Sequence, residues 1–445
     1  MNIPTIGSAQ HPVAVIGAGP VGLAAAAYLL RRGIEPLVLE AGTTVGSNLL
    51  SVAHVPLFSP WRYNIDAEAR RLLLGTGWRE PDPDILPTAG GLVREYLEPL
   101  ARHPELRERI RYGARVAAVT RAGVDKVRTA GREHVPFRLR IESAAGHAED
   151  VLAAAVIDAS GTWATPNPLG ADGLPARGEM GAGEYIAYGM PDVLGDARED
   201  YAGRDVLVVG AGHSAAGTLL ALDELARQAP GTRVHWAVRG KAPRRVFGGG
   251  ADDALPARGA LGERVRTLVT SGRVHLHTDF AIQAVQPTAR GLRVTPAGGT
   301  GALTGIDRII AATGARPNLR LTRELRVRLD PALECVEALA PLIDPNEHDC
   351  GTVPPHGHRE LEHPEPGFFI AGAKSYGRAP TFLMMTGHAQ VRSIVDALAG
   401  DTAAADDVTL ELPATGACAT GRAAGAPDGA GAPVCCGTSG TGGHG

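Results

Sequence analysis

The 445-residue sequence predicts an α/β protein with two nucleotide-binding strand–turn–helix–strand units and a low-complexity C-terminal tail. Three observations predict it. Apolar strands run into glycine-rich turns at VIGAGPVGL (15–23) and again at VVGAGHSAA (208–216). Each turn opens an Ala/Leu-rich stretch of helical period followed by a second apolar strand. After residue 413 large apolar side chains almost disappear.

In the first unit, residues 13–16 read as a short buried strand and residues 20–32 as a helix that Gly33 ends. Residues 36–39 form the second strand, with Glu40 at its tip. Between strand and helix stand Gly17, Gly19 and Gly22, followed or interleaved by Pro20, in the order G-x-G-x-x-G. The first glycine makes the tight turn, the second lets backbone approach a pyrophosphate, and the third allows helix and strand to pack closely. The helix N-terminus presents free N–H groups and a positive dipole end to the phosphates. Glu40 can accept hydrogen bonds from a ribose diol.

The second unit repeats this order. Residues 206–209 are its strand, Gly210 and Gly212 begin the turn, and His213 and Ser214 lead into a helix that runs to about Gln228. Ala215 replaces the third glycine. Where the first unit placed Glu40, this one places Arg239, with Lys241, Arg244 and Arg245 close behind. A carboxylate there would repel a 2′-phosphate, whereas a guanidinium clasps one with charge-assisted hydrogen bonds. The second cradle therefore reads as an NADPH site and the first as an FAD site, an arrangement that passes hydride from nicotinamide to flavin within one chain.

Composition is consistent with this. Hydrophobic residues are 44%, charged residues 21%, and the net charge is −4, which offers neither nucleic acid nor an anionic membrane a basic face. No run of 18 uncharged apolar residues and no signal-peptide pattern is present, and five late cysteines make no secreted disulfide framework. A cytoplasmic enzyme is expected.

The chain resembles the flavoproteins with two dinucleotide-binding domains, namely flavin-containing monooxygenases, Baeyer–Villiger and N-hydroxylating relatives, and thioredoxin-reductase-like enzymes. VIDASGTWATPNPLG (156–170), DRIIAATGARPN (307–318) and GFFIAGAKSYGRAPTFLMMTGHAQVRSIVDAL (367–398) carry the resemblance, over about residues 12–400. It implies a discontinuous FAD domain, 1–168 plus 311–400, with the NADPH domain, 169–310, inserted, and a tail over 401–445. It also implies FAD contacts at Val116, Gly161, Gly372 and Thr386, and an NADPH contact at Gly314. The helix near Thr386 would turn its N-terminus to the flavin. The stretches SPWRYNIDAEARRLLLGTGW and KSYGRAPTFL further resemble a bacterial group of flavin monooxygenase-like proteins often associated with arsenic resistance. The chain departs from the family where YGMPDVLGDAREDYAG (188–203) lacks the monooxygenase histidine, and where Lys374 follows Gly372-Ala373 in place of the usual glycine–aspartate.

Disulfide reductases of this class need a cysteine pair against the flavin, and no C-x-x-C exists in the chain. The expected activity is therefore monooxygenation of a small soft-heteroatom or carbonyl substrate by O2, through a C4a-hydroperoxyflavin. Arg62, Asn64, Lys374 and Tyr376 are the candidate catalytic residues, with Trp61 and Arg378 beside them. Two other readings stand. One is an NADPH-dependent reductase of a thiol, disulfide or metal(loid), served by the vicinal pair Cys435-Cys436, which resembles the C-terminal dithiol of mercuric reductases. The other is a non-catalytic nucleotide or redox sensor. His348, Cys350, His356, His358 and His363 are metal-ligand residue types, but their spacing fits no standard zinc pattern, so no metal site is expected.

Overall fold

The computed structural model describes residues 11–143, 146–247, 256–299, 301–348 and 353–409. Cys350, Cys418, Cys435 and Cys436 lie outside these residues, as do the side chains of Arg244 and Arg245.

Among the described residues, the first parallel sheet has the order Phe368–Ile370, Ala155–Asp158, Val13–Ile16, Pro36–Leu39, Ile110–Arg111. Its central strands are apolar along nearly their whole length because both faces are covered. One face receives the helix Pro20–Arg31, in which Ala24 to Ala27 are wholly buried. That run of alanines lets the helix sit close both to the sheet and to the helix Met384–Leu398. A three-stranded antiparallel sheet, Arg115–Arg121, Phe137–Glu142 and Ala148–Ala153, flanks this body.

A second parallel sheet runs Val274–His277, Arg233–Ala237, Asp205–Val209, Arg308–Ala311, Ile186–Tyr188. Helices His213–Gln228 and Pro256–Thr270 cover one face. The antiparallel meander Ile282–Thr288, Gly291–Pro296, Leu303–Ile306 covers the other. The first sheet thus takes its strands from both ends of the described chain, and the second takes its strands from the middle.

The chain passes between the two sheets along paired segments. Asn167 donates its backbone N–H to the Gly314 carbonyl at 2.9 Å, and Arg316 donates to the Thr165 carbonyl at 2.9 Å. The Thr313 hydroxyl donates to the Asn167 carbonyl at 2.6 Å. These bonds set one sheet beside the other and so shape the space between the two glycine-rich turns.

Both cradle helices fall where the periodicity places them, Pro20–Arg31 and His213–Gln228. Beyond Asp401, where a tail was expected to begin, Thr402–Asp406 is instead a short helix packed on Met384–Leu398. Its Asp401 carboxylate caps the Ala404 N–H, and Ser393 Oγ donates to the Ala405 carbonyl at 2.6 Å.

Candidate functional site

Each glycine-rich turn is built on contacts that only glycine admits. Gly17 has φ of +101°, and a Cβ there would lie 2.9 Å from the Ala159 carbonyl oxygen. Gly210 has φ of +133°, and its Cβ would lie 2.2 Å from the Ala312 carbonyl oxygen. In both units, then, the first glycine packs against the residue just past the neighbouring parallel strand. Gly22 meets the Gly17 carbonyl so closely that a Cβ would sit 2.0 Å from it. At the corresponding place in the second unit Ala215 is accommodated and wholly buried.

Gly19 and Gly212 differ from these. A Cβ at either meets nothing within 4 Å, so each faces open space at a helix N-terminus. Neither helix has a side-chain cap or an acidic residue in its first turn, so the positive end of each dipole meets no carboxylate of its own helix. A positive dipole end, open space and a glycine at the point of approach fit a pyrophosphate.

Glu40 is 9% exposed. Its carboxylate accepts the N–H of Ala18 at 2.7 Å on one oxygen and the N–H of Gly42 at 2.7 Å on the other. The acid therefore braces the first turn, and each oxygen keeps a lone pair for a further donor.

Two clefts open beside the turns. The smaller, of about 220 Å³, is lined by Gly17, Gly19, Glu40, Ser160, Gly161 and Gly372 among others. The larger, of about 870 Å³, is lined by Gly210, Gly212, His213, Ser214, Arg239 and Gly314 among others. Thr162, Ala373 and Phe382 line both, so the clefts meet there. Arg239 is exposed on the rim of the larger cleft, its guanidinium 3.4 Å from the Ala171 carbonyl. Helix Met384–Leu398 begins at this junction. Met384 lines the smaller cleft, Thr386 is buried in the first turn, and Gly387 packs on Val21 of the first cradle. Val116, by contrast, is a half-buried residue of the antiparallel sheet and lines neither cleft.

The candidate catalytic residues are not gathered at the junction. Arg62 pairs with Asp84 on the surface. Asn64 is fully buried, donating to the Ser59 and Pro60 carbonyls at 2.7 and 2.9 Å, so its amide holds a turn. Trp61 is core. Tyr376 is buried, which raises the pKa of its hydroxyl, and it lies 3.4 Å from His356 Nε2. His356 Nδ1 faces the Pro354 carbonyl at 2.9 Å and must donate to it, so Nε2 accepts from Gln390 at 3.1 Å. The Gln390 carbonyl oxygen in turn accepts the Gly372 N–H at 2.8 Å. Lys374 is wholly buried against Asp158 and Ser160. Of the set, only Arg378 is exposed on the wall of the larger cleft.

The histidines after residue 347 are dispersed rather than convergent. His356 serves the Gln390 network, His358 faces Ser393, and His363 Nδ1 accepts the Arg328 N–H at 3.2 Å. Among the described residues no group of His, Cys, Asp or Glu is placed to hold a metal. Sequence reasoning passed over Asp158; its signal was a carboxylate ending the otherwise apolar run VID.

Comparison places the chain in a family. The model described as pyridine nucleotide-disulphide oxidoreductase matches residues 14–336. The chain belongs to this family, and it is an FAD- and NADP(H)-dependent oxidoreductase of the two-sheet flavoprotein design. A search of curated proteins returns no match. Among solved structures, a bacillithiol disulfide reductase from Bacillus cereus is similar with a TM-score of 0.65 and 21% identity, covering 88% of this chain and 99% of that one. An ornithine hydroxylase from Pseudomonas aeruginosa is similar with a TM-score of 0.57 and 18% identity, over 88% and 99%. A flavin monooxygenase from Stenotrophomonas maltophilia gives 0.53 and 22%, over 87% and 98%. At these identities the likeness is one of fold, shared by reductases and oxygenases alike.

Proposed function

We propose that the first cradle binds FAD, the second binds NADPH, and the chain uses the reduced flavin to oxygenate a small soft-heteroatom or carbonyl substrate. The observation that carries the reading is the junction of the two clefts at Thr162, Ala373 and Phe382, where a nicotinamide entering from one side would meet a flavin held from the other. Residues 1–168 and 311–400 form the FAD domain and 169–310 the NADPH domain. Gly17, Gly19, Pro20, Gly22, Glu40, Gly161, Gly372 and Thr386 serve FAD. Gly210, Gly212, His213, Ser214, Ala215, Arg239 and Gly314 serve NADPH.

What favours oxygenation over disulfide reduction is the character of the junction. Among the described residues the one cysteine is Cys335, which lines neither cleft. Burial pushes its thiol up to about 12, so it stays protonated and unreactive. FAD supplies the two-electron chemistry; the protein holds the phosphates and orients the rings.

The balance is one NADPH, one proton and one O2 consumed for each oxygenated product and water. Labelled dioxygen tests it, with sulfide, amine and ketone probes. Label in product, in step with NADPH consumed, is the expected result. Reduction of a disulfide probe to its dithiol without oxygen uptake, abolished by Cys435→Ser/Cys436→Ser, would replace this reading with a reductase.

A further inference from the structure

The smaller cleft, where the proposed function seats FAD, has an unusual charge pattern. Among the described residues lining it there is no lysine or arginine, and Glu40 brings a negative charge. A pyrophosphate dianion there would be met by N–H groups and a helix dipole alone, beside a carboxylate. One cation lies directly behind the wall. Lys374 is wholly buried, and its Nζ donates to Asp158 Oδ2 at 2.6 Å and to Ser160 Oγ at 3.0 Å.

The geometry of this pair is that of a staple. Asp158 ends one strand of the first sheet, and Ser160 and Gly161 beyond it form one wall of the cleft. Lys374 ends the turn Gly372–Lys374 after the adjacent parallel strand, and Gly372 and Ala373 form the facing wall. Ser160 is held at both its polar groups, because its hydroxyl donates to Asp158 Oδ1 at 2.6 Å and its backbone N–H donates to the same oxygen at 3.2 Å. Lys374 thus reaches from the second turn to both Asp158 and Ser160 of the first.

We infer that Lys374, with Asp158, is a positioning residue for the flavin cofactor. It fixes the 160–161 and 372–373 turns as facing walls of the cleft. The inference rests on the reading of this cleft as the FAD site. A pair this deeply buried is a poor source of stability, since two desolvated ions can be replaced by neutral groups with little loss. Its placement between the two walls is explained by the cofactor instead.

FAD affinity of the full chain, read by quenching of flavin fluorescence on titrating apoprotein, tests it alongside melting temperature. Lys374→Met is expected to weaken FAD at least tenfold, but it also leaves Asp158 uncompensated and so destabilises the fold. The neutral double variant Lys374→Met/Asp158→Asn removes that defect. Its melting temperature is expected to return close to the native value while FAD stays at least tenfold weaker. Lys374→Arg is expected to recover most of the affinity, because it restores the ion pair with Asp158 that joins the two walls. A double variant that melts and binds FAD like the native chain overturns the inference and leaves the FAD site standing. A native chain that binds no FAD overturns both.

Discussion

The backbone N–H of Ala18 lies 2.7 Å from Glu40 Oε2, which ties the middle of the first glycine-rich turn to the acid at the tip of the next strand. With Gly42 on the other oxygen, the carboxylate fixes the turn before any nucleotide arrives. Preorganisation of this kind reduces the ordering that binding would otherwise require. Glu40→Ala strands two backbone donors, each of which costs about 1–3 kcal/mol when buried and unpaired. FAD affinity should fall by more than tenfold, as measured by flavin retained after desalting. Glu40→Gln keeps one acceptor and should lose less.

The glycines of the first turn separate binding from folding. Gly22→Ala forces a Cβ to within 2.0 Å of the Gly17 carbonyl, a backbone atom that cannot swing aside. It should destabilise the apoprotein by about 3 kcal/mol, the upper range for overpacking. Gly19→Ala meets nothing in the protein and should leave the apoprotein melting temperature unchanged, while its methyl enters the space for pyrophosphate. Loss of FAD without loss of stability is the expected signature.

Arg239 sits exposed at the rim of the larger cleft. A charge-assisted bond to a 2′-phosphate is worth about 1.5–3 kcal/mol. Arg239→Ala/Arg244→Ala should therefore lower the preference for NADPH over NADH by roughly ten- to a hundredfold. Steady-state kcat/KM for the two coenzymes measures it.

Acid should loosen the body around the last strand. Burial lowers the pKa of His356 and brings that of His363 down to about 4. Unfolded histidines titrate near 6.5, so the unfolded chain binds these protons first as pH falls. The stability the neutral rings contribute is complete above about 6.5 and declines between there and about 4 for His363. Melting temperature should drop across that window, and less steeply in His363→Gln, which keeps an acceptor for the Arg328 N–H.

Cys335→Ser should leave NADPH oxidation and product formation unchanged. The thiol is buried in the core and lines neither cleft, and burial raises its pKa.

The two cradles were legible because their chemistry is local. A strand, a turn and a helix joined within thirty residues announce themselves by period and by glycine spacing, and Pro20–Arg31 and His213–Gln228 lie where expected. The catalytic candidates were less legible because exposure is not written in a motif. Lys374 and Tyr376 look like polar residues on a loop, yet the fold buries both: one against Asp158, 216 residues away, the other beside His356. Arg62 found Asp84 and Asn64 found its own turn, so neither faces a cleft. The Asp158–Lys374 pair joins strand ends that only the parallel register brings together.

Anaerobic mixing of the FAD-loaded protein with one equivalent of NADPH tests the central claim most directly. The account predicts that the visible flavin absorbance bleaches with one NADPH oxidised per flavin, and that admitting dioxygen restores the colour. A bound flavin that stays oxidised in excess NADPH would contradict the transfer between the two cradles.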